Sequence, residues 1–135
     1  MTNPLVRDRD VDFVLNEVLK TDALLALPYF AAHDRGTFAA YVDACRRIAR
    51  DVLFPSYREI DAASPTVEQG RVRAHPKLKN ILSQLREVGV VAAIRPTEVG
   101  GQQLPLTIAT AAGLYLMAGN LSASGYLGLT TGVAG

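Results

Sequence analysis

The sequence predicts an all-α fold, a helical bundle. Apolar residues recur at the i, i+3, i+4, i+7 spacing of a helix face in successive segments. Prolines and glycines stand where those segments begin or end. There is no internal repeat and no coiled-coil heptad pattern.

In chain order, Val11, Val14, Leu15, Val18 and Leu19 fall on one helical stripe, with Asp10 placed as an N-cap for the first turn. Thr21 to Phe30 comes next, and Pro28 bars a continuous helix there. The clearest helix runs from about Thr37 to Phe54. It carries Phe38, Tyr41, Val42, Cys45, Ile48, Ala49, Val52 and Leu53 on one stripe and Asp43, Arg46, Arg47, Arg50 and Asp51 mostly on the other side. Pro55 is expected to kink or end it, with Tyr57 to Ile60 continuing at an angle. Ala62 to His75, which holds Pro65 and Gly70, reads as a loop.

Pro76 then opens a helix, where a fixed φ and a missing N–H do no harm. Leu78, Ile81, Leu82 and Leu85 form its stripe, and Gly89 suits a left-handed C-cap. A short apolar run from Val90 to Ile94 leads into the loop Arg95 to Leu104. Pro105 opens a helix through about Gly119, and a last one runs from Ser122 toward the terminus.

The chain has 135 residues, one domain by length, divided here into an extension, residues 1–33, with one amphipathic helix and a helical domain over residues 34–135. With 14 Lys+Arg against 13 Asp+Glu, the net charge of +1 supplies no broad basic face, so no nucleic-acid partner is expected. The lone Cys45 excludes an intramolecular disulfide framework and a cysteine zinc site, in keeping with a cytoplasmic location. The N-terminus has no apolar secretion signal, and no integral membrane segment is expected.

From Val99 to Gly135 there is no charged residue, yet this stretch holds eight of the eleven glycines. A glycine inside a helix costs about 1 kcal/mol relative to Ala, so it marks places where a backbone or ligand must come close. Gly125, Gly128, Leu129 and Gly132 lie on one face at i, i+3, i+4, i+7, which makes a shallow channel rather than a filled ridge. Tyr126, Thr130 and Thr131 are candidate polar contacts beside it. The uncharged, uncapped end at Gly135 suggests a domain cut short and normally covered by something else.

No catalytic centre assembles from these residues. His33 and His75 lie in loop-like segments and read as surface histidines, and no serine has a nucleophile-elbow context. No His, Asp and Glu set has metal-ligand spacing. Cys45, on an apolar stripe, reads as a buried structural thiol. Gly100–Gly101 lacks the companions of a phosphate loop and reads as a chain reversal between helices.

The segment from Leu85 to Pro105 is the most distinctive. It combines a helix ending in Gly89, a short apolar run, and Pro96, Glu98, Gly100 and Gly101 followed by Gln102, Gln103, Leu104 and Pro105. With Asn120 to Gly132 and the opening residues Asn3 to Asp8 and Asp12 to Leu19, it resembles the N-terminal helical domain of the acyl-CoA dehydrogenase family. Within that family it is similar to the large subfamily that includes the 3-methylmercaptopropionyl-CoA dehydrogenases, which carries an N-terminal extension. Val99 stands where the family usually has an aromatic residue.

The resemblance implies a three-part flavoenzyme, and hence an oxidoreductase of fatty acid metabolism that converts an acyl-CoA to its 2-enoyl-CoA. A glutamate base takes a proton from Cα, FAD takes a hydride from Cβ, and electrons pass to an electron-transfer flavoprotein. It implies a homo-oligomer at full length. The base and most flavin contacts would lie outside this chain, so no residue here is catalytic and the chain alone is expected to be inactive. Glu98 belongs to a structural turn. The domain's part is to wall the acyl pocket and cover the flavin, with Gly125, Tyr126, Gly128, Leu129 and Gly132 as the substrate-binding residues. The alternative is a stand-alone helical binding module with an apolar docking surface and no cofactor.

Overall fold

A computed structural model describes residues 6–133, with side-chain surroundings described for residues 6–130. Among them are six α-helices: α1 (Asp8–Phe13), α2 (Arg35–Ile48), α3 (Phe54–Ala62), α4 (Lys77–Glu87), α5 (Leu106–Gly119) and α6 (Leu121–Val133). One antiparallel hairpin, β1 (Thr66–Glu68) and β2 (Arg71–Arg73), lies between α3 and α4. The fold is all-α.

α1 begins after an extended Arg7, so Asp10 is inside the first turn rather than capping it. Asp8 and Asp10 both sit where the positive end of the helix dipole favours carboxylates. The helix widens into a π turn over Val14–Val18, closed by the Leu19 N–H to Val14 carbonyl bond at 2.9 Å. This turn corrects the expected stripe. Val11 and Leu15 are buried, but the wide turn shifts the helical phase, and Val14, Val18 and Leu19 are exposed. Lys20, with φ 49°, ends the segment. Short 3₁₀ turns over Thr21–Ala26 and Pro28–Phe30 come next, broken at Pro28 as the sequence predicts.

α2 starts at Arg35, ahead of the expected Thr37, because Asp34 is its N-cap. The Asp34 carboxylate accepts from the Thr37 N–H at 2.6 Å and the Thr37 hydroxyl at 2.8 Å. The predicted stripe then goes to the core, with Phe38, Tyr41, Cys45, Ala49 and Leu53 buried. Pro55 does not end the helix. A second π turn, Ala49–Leu53, lies immediately before it, and Pro55 occupies the first turn of α3, where its missing N–H is tolerated.

The loop expected over Ala62 to His75 contains the hairpin. Gln69 and Gly70 have φ 52° and 74°, the paired positive angles that match the twist of a two-residue turn. Three-residue strands and a Gln-Gly turn leave little pattern in the sequence, which is why it reads as loop. α4 has Leu78, Ile81 and Leu85 buried, and Gly89 caps it at φ 78°.

α5 is the central helix, packed on α2, on the Ala49–Leu53 turn, and on α3 and α6. Tyr115, Ile108, Cys45, Leu53, Ile81 and Leu85 form the fully buried centre. Gly119 lets α5 close on the π turn, since a Cβ there would lie 2.9 Å from the Ala49 carbonyl oxygen. The Asn120 carboxamide oxygen accepts from the Ala123 N–H at 2.9 Å, so it caps α6 and turns the chain from α5. Its amide nitrogen donates to Ser56 of α3 at 3.4 Å.

Candidate functional site

The Arg95 to Pro105 loop positions the start of α5, and it is built as a knot. Gly100, at φ 79°, reverses the chain, and the Gly101 N–H donates to the Pro96 carbonyl at 3.0 Å. Gly101 is pressed against the Arg95 carbonyl so closely that any Cβ would overlap it. The Gln103 N–H returns to Arg95 at 2.8 Å and the Leu104 N–H to Ala93 at 2.8 Å. This is the chain reversal the sequence predicts.

The two glutamines supply cross-ties that the sequence does not show. Gln102 Nε2 donates to the Val88 carbonyl at 2.8 Å and the Gly89 carbonyl at 3.1 Å, satisfying the open C-terminus of α4. Gln103 Nε2 donates to the Tyr29 carbonyl, and Gln103 Oε1 accepts from the Thr97 N–H at 3.3 Å. His33 Nε2 lies 3.1 Å from the Gln103 carbonyl oxygen, with its ring against Phe38. His33 and His75 are therefore half-buried tie points, not surface histidines; His75 Nε2 is 3.3 Å from Glu59 Oε1.

Beyond the knot, α5 and α6 enclose a groove of about 500 Å³. Leu106, Ala109, Gly113 and Met117 line it from α5, and Leu127 and Gly128 from α6. A Cβ on Gly113 or Gly128 would meet nothing within 4 Å, so both glycines are open to the groove. No carboxylate, ammonium, guanidinium or imidazole lines it among the described residues. Ser124 reaches it, but its hydroxyl donates to the Leu116 carbonyl at 2.9 Å. Tyr41, at the floor, has its pKa raised by burial and by the neighbouring Cys45. Burial pushes the fully enclosed Cys45 thiol up to about 11, so it is not a thiolate at neutral pH. The groove suits an apolar group, and its polar side chains are the hydroxyls of Tyr41, Thr110 and Ser124.

Of the residues singled out in the sequence, Gly128 lines the groove. Gly125 opens onto free space on the same helix. Leu129 is 77% exposed, and Tyr126 projects from another side of α6, two positions from Gly128. The surroundings of Thr131 and Gly132 lie outside the described residues. The α5 wall, Leu106, Gly113 and Met117, was not legible in the sequence. α5 is apolar nearly all round, so no polar face marks which side is open.

No group of three His, Cys, Asp or Glu among the described residues is placed to hold a metal ion. No helix among them is long and apolar enough to cross a membrane. Compared with models of known protein families and with curated proteins, the chain matches none.

Proposed function

We propose that this chain is the N-terminal helical domain of a FAD-dependent acyl-CoA dehydrogenase, walling the acyl pocket of an enzyme that oxidises an acyl-CoA to its 2-enoyl-CoA. The observation that carries the reading is the α5–α6 groove: apolar, uncharged, and widened by two glycines that pack against nothing. An acyl chain suits such a groove, and an uncharged wall keeps water from a hydride in transfer. The groove holds no cation for a pyrophosphate. FAD would therefore be held mainly by residues outside it, supplying the hydride acceptor when bound. The Pro96–Gly101 knot, where the family-like motif falls, sets the angle at which α5 enters the groove.

The test is to produce the complete reading frame of the gene and record its visible absorbance and its reaction with acyl-CoA. A yellow protein bleached anaerobically by acyl-CoA, beside a 135-residue chain that reduces no dye, is the expected result. A colourless product indifferent to acyl-CoA would sink the proposal. It would favour the second reading, a binding module docking through the exposed α5 ridge of Leu106, Leu114 and Met117. A cytoplasmic location, oligomeric assembly and an electron-transfer flavoprotein as electron acceptor belong to the first reading.

A further inference from the structure

The β1–β2 hairpin packs mainly on itself, and its two faces differ. Val67 stands opposite Val72 across the strands, so both valines project from one face. The apolar face of an antiparallel pair is ordinarily laid on a core. Here the two valines are 74% and 69% exposed, and the other four strand residues are exposed as well. A two-stranded ribbon with water on both faces is a marginal structure, and its uncovered valines form an apolar patch with no partner in the bundle.

Charge is the second and independent observation. The opposite face of the ribbon pairs Glu68 with Arg71 and Thr66 with Arg73. Arg73 lies 3.4 Å from Glu68, but both side chains are more than half exposed, so the ion pair is weak. Arg71 makes no ion pair among the described residues, and neither does Lys79 in the first turn of α4. Lys77 beside it is held by Glu59 of α3. Residues 66–80 carry four cations against one carboxylate, while the rest of the chain carries ten against twelve. The positive charge is thus gathered on the hairpin and the segment that follows it.

We propose that the hairpin docks this chain on an anionic bilayer surface. The ribbon lies flat in the headgroup layer, with Val67 and Val72 toward the acyl chains and Arg71 and Arg73 among the lipid phosphates. This is the two-stranded equivalent of an interfacial amphipathic helix, which sets an apolar face against a cationic one and crosses nothing. Cations held near such a surface are attracted to its negative potential, and salt screens that attraction. A soluble polyanion would engage the arginines and leave the valines in water, so the valine pair is what points to lipid. Two valines bury little apolar area, so the association is reversible and depends on the lipid charge.

The test is co-sedimentation of the 135-residue chain with vesicles of phosphatidylcholine alone, and with about one third phosphatidylserine added. Binding is expected only to the second, and it should fall at least about fivefold between about 0.05 M and about 0.5 M NaCl. Val67→Ser combined with Val72→Ser should weaken it about threefold to tenfold, and so should Arg71→Gln alone. If the serine pair loosens the hairpin, Arg71→Gln decides, because it keeps both strands' apolar pair. Met117→Glu, on the exposed surface of α5, should leave binding unchanged. Equal binding to the neutral vesicles, or its loss with Met117→Glu, would overturn the proposal. So would a chain that stays in the supernatant at low salt, or an Arg71→Gln chain that binds unchanged. Full binding by the serine pair, with equal affinity for heparin, would also overturn it and mark a polyanion site instead.

Discussion

The Tyr115 hydroxyl, at the centre of α5, donates to Asp8 Oδ1 at 3.0 Å, 107 residues away in sequence. Arg50 and Arg46 converge on the other oxygen of the same carboxylate. One aspartate therefore fastens the N-terminal helix to α2 and to α5 together. Burial by itself would raise the Asp8 pKa. Hydrogen bonds from Arg50 and Tyr115, with the charges of Arg50 and Arg46, outweigh it and hold the group below its ordinary value.

A depressed folded-state pKa contributes stability above the unfolded value of 3.8, and that contribution is lost as pH falls through the folded value. Asp8→Asn should therefore cost about 1–2 kcal/mol at neutral pH, because it leaves two half-buried guanidiniums short of a partner. Urea denaturation at neutral pH and again below pH 3.8 checks it. The gap between the two proteins should shrink at acid pH, and a gap that stays constant would refute the role of the charge. Tyr115→Phe should cost about 1 kcal/mol and be non-additive with Asp8→Asn.

The glycines divide into two kinds, and alanine separates them. Gly101→Ala places a methyl on the Arg95 carbonyl, and Gly119→Ala places one 2.9 Å from the Ala49 carbonyl. Each should lose about 1–3 kcal/mol, with Gly101 the worse because its Cβ would lie only 2.0 Å from the carbonyl oxygen. Gly113→Ala and Gly128→Ala meet open space inside helices, so each should gain up to about 1 kcal/mol from helix propensity. Thermal melts of the four variants are the measurement. Destabilisation by Gly113→Ala would mean that the groove is closed in solution.

Much of the fold was legible from residues alone. The α2 stripe, the Pro76, Gly89 and Pro105 boundaries, and the Gly100–Gly101 reversal rest on periodicity and φ preference, which act locally. The features that escaped depended on partners far along the chain. Gln102 looks like any loop glutamine until α4 ends beside it. Asp8 looks like a solvated charge until Arg46, Arg50 and Tyr115 meet it. The Gly128 side of the groove could be read from helical spacing, but its α5 wall could not, because α5 has no polar face for contrast.

Gln102→Ala tests one of those distant ties. Its two bonds serve carbonyls at the end of α4, so their loss should cost about 1–2 kcal/mol and speed hydrogen exchange through that helix's last turn. Unchanged exchange there would show that water replaces the carboxamide without cost.

The uncharged surface should be evident in the isolated chain. Leu106, Leu114, Met117 and Leu121 are exposed along and just beyond α5, so the chain should bind the dye ANS and self-associate at high concentration. Met117→Glu should reduce both. A dye-negative, monodisperse monomer would show that this surface is shielded in a way the fold does not indicate.

The π turn at Ala49–Leu53 works as a phase setting for the rest of the bundle. An α-helix advances about 100° per residue and the π turn takes up one residue more over the same rotation, so rewinding this turn as α with every residue kept would swing α3 by roughly that angle. Leu53, Ser56 and Ile60 would leave their places in the core, and Asn120 would lose the Ser56 hydroxyl that it reaches. One surplus residue in the second helix thus governs where the last one can begin.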